Sequence, residues 1–270
     1  KKYRYDFYNV PFWMQTLYLT KFVLTMKNTL TLCFAIFSTT VFSQTVGSGN
    51  AVNFSSHVDK ISLSQNWSIQ SFPFSVSGWI YAEVPLDASA PIVSSHNSTS
   101  SYSGFNIQLV NSGGWKFEAM LGKGSGGQVS ASRKSKLVDF NHFNRWCHYA
   151  VVFNSIGNYD IYINGILQSG TYSGAATSYS FSASGLPYIG HYYAASNNQR
   201  SFRGNIDELA IWDTLLTQIQ IRNMMCKGIL TTTAGLASYY KFDETAGLIT
   251  NDIGPSVING TLTSLALREL

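Results

Sequence analysis

The segment Arg145–Gly170, RWCHYAVVFNSIGNYDIYINGILQSG, decides the fold class of this chain. Apolar and polar residues alternate in two runs, Trp146–Phe153 and Tyr159–Leu167, and such alternation is typical of β-strands with one buried face. A polar Asn-Ser-Ile-Gly-Asn turn joins the two runs, and Asn164-Gly165 is a strong hairpin signal. We therefore predict a β-hairpin within a β-sandwich.

Short strands are predicted on both sides of this hairpin. Alternation in Phe72–Tyr81 places Phe74, Val76 and Ile80 on one face of a strand. Other apolar runs lie between Gly-rich and Ser-rich loops and predict further strands at Pro91–Ser95, Gly104–Val110, Trp115–Leu121, Gln128–Ser132, Leu186–His191 and Asn205–Trp212. One short helix is predicted over residues 217–226, with Thr217 as its N-cap.

Composition and charge limit the possible function classes. The chain has 270 residues, of which 45% are hydrophobic and 12% charged, so it can bury one sizeable core. The formal charge of +4 belongs to residues 1–43, because residues 44–270 hold 13 basic and 13 acidic side chains. A folded domain without net positive charge is not expected to bind nucleic acid.

The N-terminal residues have the pattern of an export signal. Residues 26–43, MKNTLTLCFAIFSTTVFS, combine a basic start, an apolar stretch and small residues near the end. This pattern predicts a secretory signal peptide that is cleaved before Gln44. The apolar stretch is shorter than the roughly 20 residues of a membrane span, so we expect no stable membrane span after its removal. A longer membrane segment that starts near Val10 is the alternative.

The domain organisation follows from this signal. Residues 1–25 are predicted to be upstream or leader residues, residues 44–270 form the mature domain, and the protein is expected to be secreted or on the cell surface.

Only Cys147 and Cys226 remain after cleavage. They could form a disulfide in an exported protein, but Cys147 lies inside a predicted strand, so we expect two unpaired thiols.

Two signatures carry a resemblance to a known family. The hairpin and the segment Gly204–Asp213, GNIDELAIWD, resemble the WHHVAVVYD…LYVNG and GxIDEVRIW signatures of laminin G-like, concanavalin A-like jelly-roll domains. The resemblance extends from about Gly49 to Thr263. It implies an all-β fold, a two-sheet antiparallel jelly-roll sandwich with one short helix near 217–226, of the kind found in exported bacterial-type proteins.

The resemblance does not fix a function, because the fold hosts lectins, adhesion modules, calcium-binding receptors and glycosidases. The C-terminal segment Leu236–Leu262 resembles an edge element of the family. Such an element closes one sandwich or opens the next. The chain is therefore either one domain or a fragment of a longer protein.

The same resemblance implies a structural calcium ion beside Asp207, with Asn53 and Asp243 as companion ligands, since calcium takes carboxylate and carbonyl oxygens. The alternative is a carboxylate that accepts hydrogen bonds from backbone N–H groups at a strand end. Asp207 and Glu208 are adjacent, so a regular strand would direct them to opposite faces. This argues against the carboxylate pair of a retaining glycosidase.

Sugar binding uses flat aromatic faces and planar polar groups. The loop 192–203 offers both, and the predicted ligand-binding residues are Tyr192, Tyr193, Asn197, Asn198 and Arg200. With no catalytic pattern in the sequence, we predict a secreted, non-catalytic recognition module for a carbohydrate or a cell-surface partner. A structural adhesion segment of a larger protein is the alternative, and a polysaccharide hydrolase or lyase is less favoured.

Overall fold

The computed structural model describes residues 49–67, 69, 71–84, 88–95, 97–98, 101–127, 130–180, 186–194, 200–264 and 268–269. The predicted leader and signal peptide, residues 1–43, lie outside the described residues. The prediction for these residues is therefore not addressed by the structure.

β-Strands make up most of the regular secondary structure of the described residues. In chain order the strands are β1 (Ala51–Phe54), β2 (Ile61–Leu63), β3 (Phe74–Ala82), β4 (Ser89–Ser94), β5 (Asn97–Ser98), β6 (Ser103–Asn111), β7 (Trp115–Lys123), β8 (Arg133–Asp139), β9 (Trp146–Ser155), β10 (Asn158–Ile163), β11 (Ile166–Leu167), β12 (Thr171–Ser173), β13 (Tyr188–Ile189), β14 (Tyr193–Ala194), β15 (Gly204–Trp212), β16 (Leu236–Tyr240), β17 (Ile249–Thr250), β18 (Gly260–Leu262) and β19 (Arg268–Glu269). The α-helix α1 spans Gln218–Lys227. No helix in this part of the chain is long and apolar enough to cross a membrane.

These strands form two sheets, as expected for a jelly-roll sandwich. Sheet A has the order β11-β10-β9-β3-β15-β1-β19, and β16 also pairs with β15. Sheet B has the order β12-β8-β7-β6-β4-β13-β2-β18-β17, with β5 between β6 and β14. Pairing between neighbours is antiparallel except for the short parallel pair β5–β14. The predicted fold class is confirmed.

The inner faces of the two sheets enclose one hydrophobic core. Phe74, Val76 and Ile80 alternate along β3 and are fully buried, as their spacing predicts. Phe74 stacks on Phe153 of β9 with ring centroids 4.5 Å apart. It also contacts Phe105 of sheet B at 5.7 Å, so aromatic contacts connect the two sheets across the core.

The helix α1 covers part of the outer face of sheet A. Its buried Ile221 packs with Trp212 and Leu216 in a second hydrophobic cluster. The Trp212 indole N–H donates to Ser77 Oγ at 3.1 Å. Thr217 and Gln220 form a reciprocal capping box at the start of the helix, which confirms the predicted N-cap.

The C-terminal segment closes this sandwich rather than opening another. Strand β16 pairs with β15 in sheet A, and β18 pairs with β2 in sheet B. The buried Asp252 carboxylate accepts backbone N–H groups of Tyr239, Gly254 and Ile258 at 2.7 to 2.9 Å. These bonds attach the turn before β18 to the end of sheet A.

The predicted strand Gln128–Ser132 is wrong. Residues 130–132 form a 3-10 turn, and the strand β8 begins at Arg133. Alternation is weak in β8 because Lys134 and Lys136, at its inward positions, lie near the edge of the sandwich. Their ammonium groups donate to the carbonyl oxygens of Gly174 and Tyr159, and an apolar residue is not needed there.

Both thiols of the described residues are free. Cys147 is buried within β9, where burial raises the pKa of its thiol to about 12, and Cys226 is exposed on α1. A thiol that remains protonated is a poor nucleophile. Cys147 therefore serves as a small packing residue.

Candidate functional site

A polar cleft lies on the outer face of sheet B. Inward residues of β6 and β7, such as Ile107 and Phe117, are in the core, so the intervening residues face outward. Outward residues of β4, β6, β7, β8 and β12 line a cavity of about 330 Å³. Tyr192 and Arg200, from the segment that follows β13, line the same cavity.

The floor of the cleft contains buried amide and carboxylate groups. Gln108 on β6 lies opposite Glu118 on β7, and its Nε2 donates to Glu118 Oε2 at 2.5 Å. Asn106 is 1% exposed and Gln108 is 6% exposed. Asn106 Oδ1 and Gln108 Oε1 have no hydrogen-bond partner among the described residues. Two buried acceptors therefore lie at the base of this cavity.

Tyrosine and arginine side chains form the walls. The Arg133 guanidinium lies over the Tyr102 ring, 5.2 Å from its centroid. Arg200 Nη1 donates to Ser89 Oγ at 2.9 Å, and Arg200 also hydrogen-bonds Tyr192. Burial raises the pKa of Tyr192, although the Arg200 charge opposes the increase. The Tyr192 hydroxyl therefore stays protonated and can donate to a ligand near neutral pH.

The structure brings together only some of the residues that the sequence predicted for ligand binding. Tyr192 and Arg200 line the cleft. The backbone of Tyr193 belongs to β14, but its side chain and the residues Asn197 and Asn198 lie outside the described residues. The binding role of all five residues stays a prediction.

Sequence reasoning missed the floor of the cleft. Asn106, Gln108 and Glu118 occupy alternate positions of strands whose other face is apolar. Polar residues in the GFNIQLV stretch were a usable signal, because each long polar side chain in a buried strand requires a partner. Arg133 carried no such signal, since its strand was predicted to end before it.

The Asp207–Glu208 pair is arranged differently from the prediction. The register of β15 against β3 shifts between Asp207 and Ala210, and Glu208 has a φ of 52°. This β-bulge interrupts the regular alternation. Both carboxyl groups consequently interact with the same Lys241 and Asp243 charges. The expectation that they point to opposite faces is wrong.

Burial dominates the electrostatics of this pair. Asp207 is 3% exposed, and desolvation together with the Glu208 charge raises its pKa to about 8. Desolvation also raises the pKa of Glu208, whose carboxylate accepts a hydrogen bond from the Tyr239 hydroxyl. Asp207 Oδ1 accepts the backbone N–H of Glu208 at 2.8 Å, which agrees with the alternative of a hydrogen-bonded carboxylate.

The three residues predicted to bind calcium do not form an ion site as they are arranged. Asn53 Nδ2 donates to Asn205 Oδ1 at 2.7 Å, and Asp243 Oδ2 pairs with Lys241 Nζ at 2.7 Å. Across the described residues, no group of three His, Cys, Asp or Glu side chains could hold a metal ion. Calcium binding near Asp207 therefore stays a prediction.

A two-sheet jelly roll with a polar, aromatic-rimmed cleft on one outer face defines a lectin-like protein class. The sequence matches the family described as the concanavalin A-like lectin/glucanases superfamily (Laminin_G_3) over residues 46–222. The chain belongs to this family. No curated protein sequence matches it.

Two solved structures share the fold. One is "a putative carbohydrate binding protein" from Bacteroides ovatus, with 23% identity and a TM-score of 0.60 over 80% of this chain and 58% of the other. The chain thus spans little more than half the length of that protein. The other is the heptameric SAP-like pentraxin from Limulus polyphemus, with 17% identity and a TM-score of 0.51 over 81% of this chain and 96% of the other.

Proposed function

We propose that the protein is an exported, non-catalytic module that binds a carbohydrate in the cleft on sheet B. The observation that carries the proposal is the pair of buried amides at the floor, Asn106 and Gln108, whose oxygens lack partners among the described residues. Sugar hydroxyls donate to such oxygens, and tyrosine rings pack against the apolar faces of sugars. The fold shared with a protein described as "a putative carbohydrate binding protein" supports this assignment.

The absence of catalysis in this cleft is part of the proposal. Most glycosidases use two carboxyl groups that flank one bond. Among the described residues that line the cavity, Glu118 is the only carboxylate, and Gln108 is bound to it. The closely spaced pair Asp207 and Glu208 belongs to sheet A, on the other side of the sandwich.

Export is proposed from the sequence alone, on the signal-like residues 26–43. Mass spectrometry of the protein recovered outside the producing cell tests it. A mature N-terminus at Gln44 is the expected result.

The binding proposal is tested with an isosteric variant. Asn106→Leu removes the buried amide and keeps the number and branching of the side-chain heavy atoms, although leucine is bulkier, so it should abolish glycan binding on an array and in calorimetry. The same change should leave the thermal stability equal or higher, because a buried amide without a partner is replaced by an apolar group. A stabilised variant with full affinity would exclude Asn106 from the site.

Aromatic contacts are tested with a matched pair of tyrosines. Tyr192→Ala should weaken glycan binding by about 1–3 kcal/mol if its ring contacts the sugar. Tyr81→Ala is the control, because Tyr81 is a partly exposed tyrosine on sheet A. If no glycan binds to the wild-type protein, the alternative of a structural adhesion segment is favoured.

A further inference from the structure

The cleft on sheet B contains two arginines without acidic partners. Arg133 and Arg200 both line the cavity. Neither has a carboxylate within ion-pair distance among the described residues, whereas the surface residues Lys116 and Lys241 pair with Asp139 and Asp243. Unpaired arginines inside a concave site favour anionic ligands, because field lines concentrate in clefts.

Neutral partners hold both guanidinium groups in place. Tyr102 supports Arg133 through a cation–π contact, and Ser89 accepts a hydrogen bond from Arg200. Arg133 Nε is buried and has no hydrogen-bond partner among the described residues. Because an arginine has five N–H donors in a planar fork, donors remain for a bidentate contact with a carboxylate or a sulfate.

The one carboxylate among the described residues that line the cleft, Glu118, offsets only one of the two arginine charges. Arg133 lies opposite Gly122 on β7, four residues from Glu118 on the same strand. This separation is about 13 Å along the strand. The Glu118 carboxylate is also engaged by Gln108. An anionic group can therefore approach Arg133 without meeting Glu118 directly.

The positive charge is local to this site. Residues 44–270 hold equal numbers of acidic and basic side chains, so this part of the chain has no net positive charge that would attract polyanions in general. Asn106 and Gln108 add acceptors for hydroxyl groups at the floor of the same cleft. The site thus combines donors for an anion with acceptors for neutral sugar hydroxyls.

We infer that the carbohydrate is acidic, and that its carboxylate or sulfate groups pair with Arg133 and Arg200. The inference rests on the proposed carbohydrate-binding function of the cleft. Arginine forks recognise planar carboxylates and sulfates, whereas the amides orient the hydroxyl groups of the same sugar chain.

The test measures binding of the full protein to matched oligosaccharides by calorimetry. The probes are oligomers of galacturonic acid, the same oligomers with methyl-esterified carboxyl groups, neutral galactose oligomers and sulfated galactose oligomers. We expect an acidic probe to bind more tightly than its neutral counterpart by about tenfold or more. A preference for galacturonic acid oligomers over their methyl esters identifies the anion as a carboxylate. A preference for sulfated over neutral galactose oligomers identifies it as a sulfate.

Variants connect the preference to the two arginines. The double variant Arg133→Gln/Arg200→Gln should remove the preference for the acidic probe and retain binding of the neutral one. Arg145→Gln is the control, because Arg145 is exposed and bonds the Asn141 carbonyl outside the cleft. If the double variant does not fold, Arg133→Lys/Arg200→Lys replaces it, and the loss of the fork should still lower the preference.

The outcomes separate this inference from the proposed function. Equal binding of neutral and acidic probes overturns the acidic ligand and leaves the carbohydrate site intact. A preference that persists in the double variant also overturns the inference. If the wild-type protein binds neither these probes nor any oligosaccharide on a glycan array, the proposed function itself fails.

Discussion

Replacement of Asp252 tests whether the C-terminal segment is part of the folding unit. Its carboxylate is 4% exposed and accepts three backbone N–H groups, from Tyr239, Gly254 and Ile258. Asp252→Ala leaves these donors without an acceptor, at a cost of about 1–3 kcal/mol for each buried donor. We expect a total loss of roughly 3–6 kcal/mol in the free energy of unfolding, because some donors gain access to water.

Two further variants, Asp252→Asn and Asp139→Ala, show whether the loss of stability depends on the hydrogen bonds of Asp252. Asp252 Oδ1 accepts the N–H groups of Tyr239 and Gly254, and Oδ2 accepts that of Ile258. Asp252→Asn keeps one oxygen and should lose about 1–3 kcal/mol, because an amide N–H₂ then faces the Ile258 N–H. Asp139→Ala is the control, since the Asp139 side chain is 93% exposed, and it should cost less than about 0.5 kcal/mol.

Urea unfolding followed by tryptophan fluorescence gives the free energies, and calorimetry gives the melting temperatures. For a domain of this size, each kcal/mol lowers Tm by about 2–4 °C. The alanine variant should therefore melt roughly 6–24 °C below the wild type. If it unfolds within 1 kcal/mol of the wild type, as Asp139→Ala should, the turn around residue 252 is not a structural part of the sandwich.

Two further predictions concern the carboxyl pair on sheet A. The folded-state pKa of Asp207 is raised to about 8, so its contribution to stability is complete below pH 4 and is lost as pH rises towards 8. Asp207→Asn should remove this part of the pH dependence of Tm. If calcium binds near Asp207, Asn53 and Asp243, the free energy of unfolding should be about 2.7 kcal/mol higher in calcium than in chelator at a hundredfold excess over Kd, and Tm should rise accordingly. Equal melting temperatures would exclude the ion, and Asp207→Asn should abolish any difference.

Local patterns in the sequence predicted the frame of the sandwich well. Alternation in Phe72–Tyr81 assigned Phe74, Val76 and Ile80 to the core, where the structure places them. Thr217 was identified as the helix N-cap because capping depends on a few consecutive residues. These predictions are correct because each depends only on residues within a single strand or helix.

The bulge at Asp207 could not be predicted, because its cause is not local. Strand β15 pairs along one edge with β1 through residues 204–206 and with β16 through residues 209–212. Asp207 and Glu208 fall between these two segments, where the partner of β15 on this edge changes from β1 to β16. The sequence shows an acidic pair at this position, but only the tertiary pairing of three strands shows that both carboxyl groups lie in the field of the Lys241 and Asp243 charges.

The cleft itself depends on register across strands that are distant in sequence. Gln108 meets Glu118 through the β6–β7 pairing, and Arg133 enters the cavity because β8 begins there. Composition marks Tyr192 and Arg200 as candidates, and their binding role stays a prediction. That both line the cavity beside these strands was not predictable, since no local pattern specifies how β13 is placed in sheet B.

The polar floor of the cleft is the strongest argument that the outer face of sheet B has a function. On sheet A the corresponding face is filled by apolar residues such as Trp212 and by Ile221 of the helix. On sheet B, Asn106, Gln108 and Glu118 occupy buried strand positions where an apolar side chain would cost nothing in desolvation. Each buried polar group without a partner costs about 1–3 kcal/mol. Asn106 Oδ1 and Gln108 Oε1 are without a partner among the described residues, and the carbohydrate that we propose for this cleft would supply one.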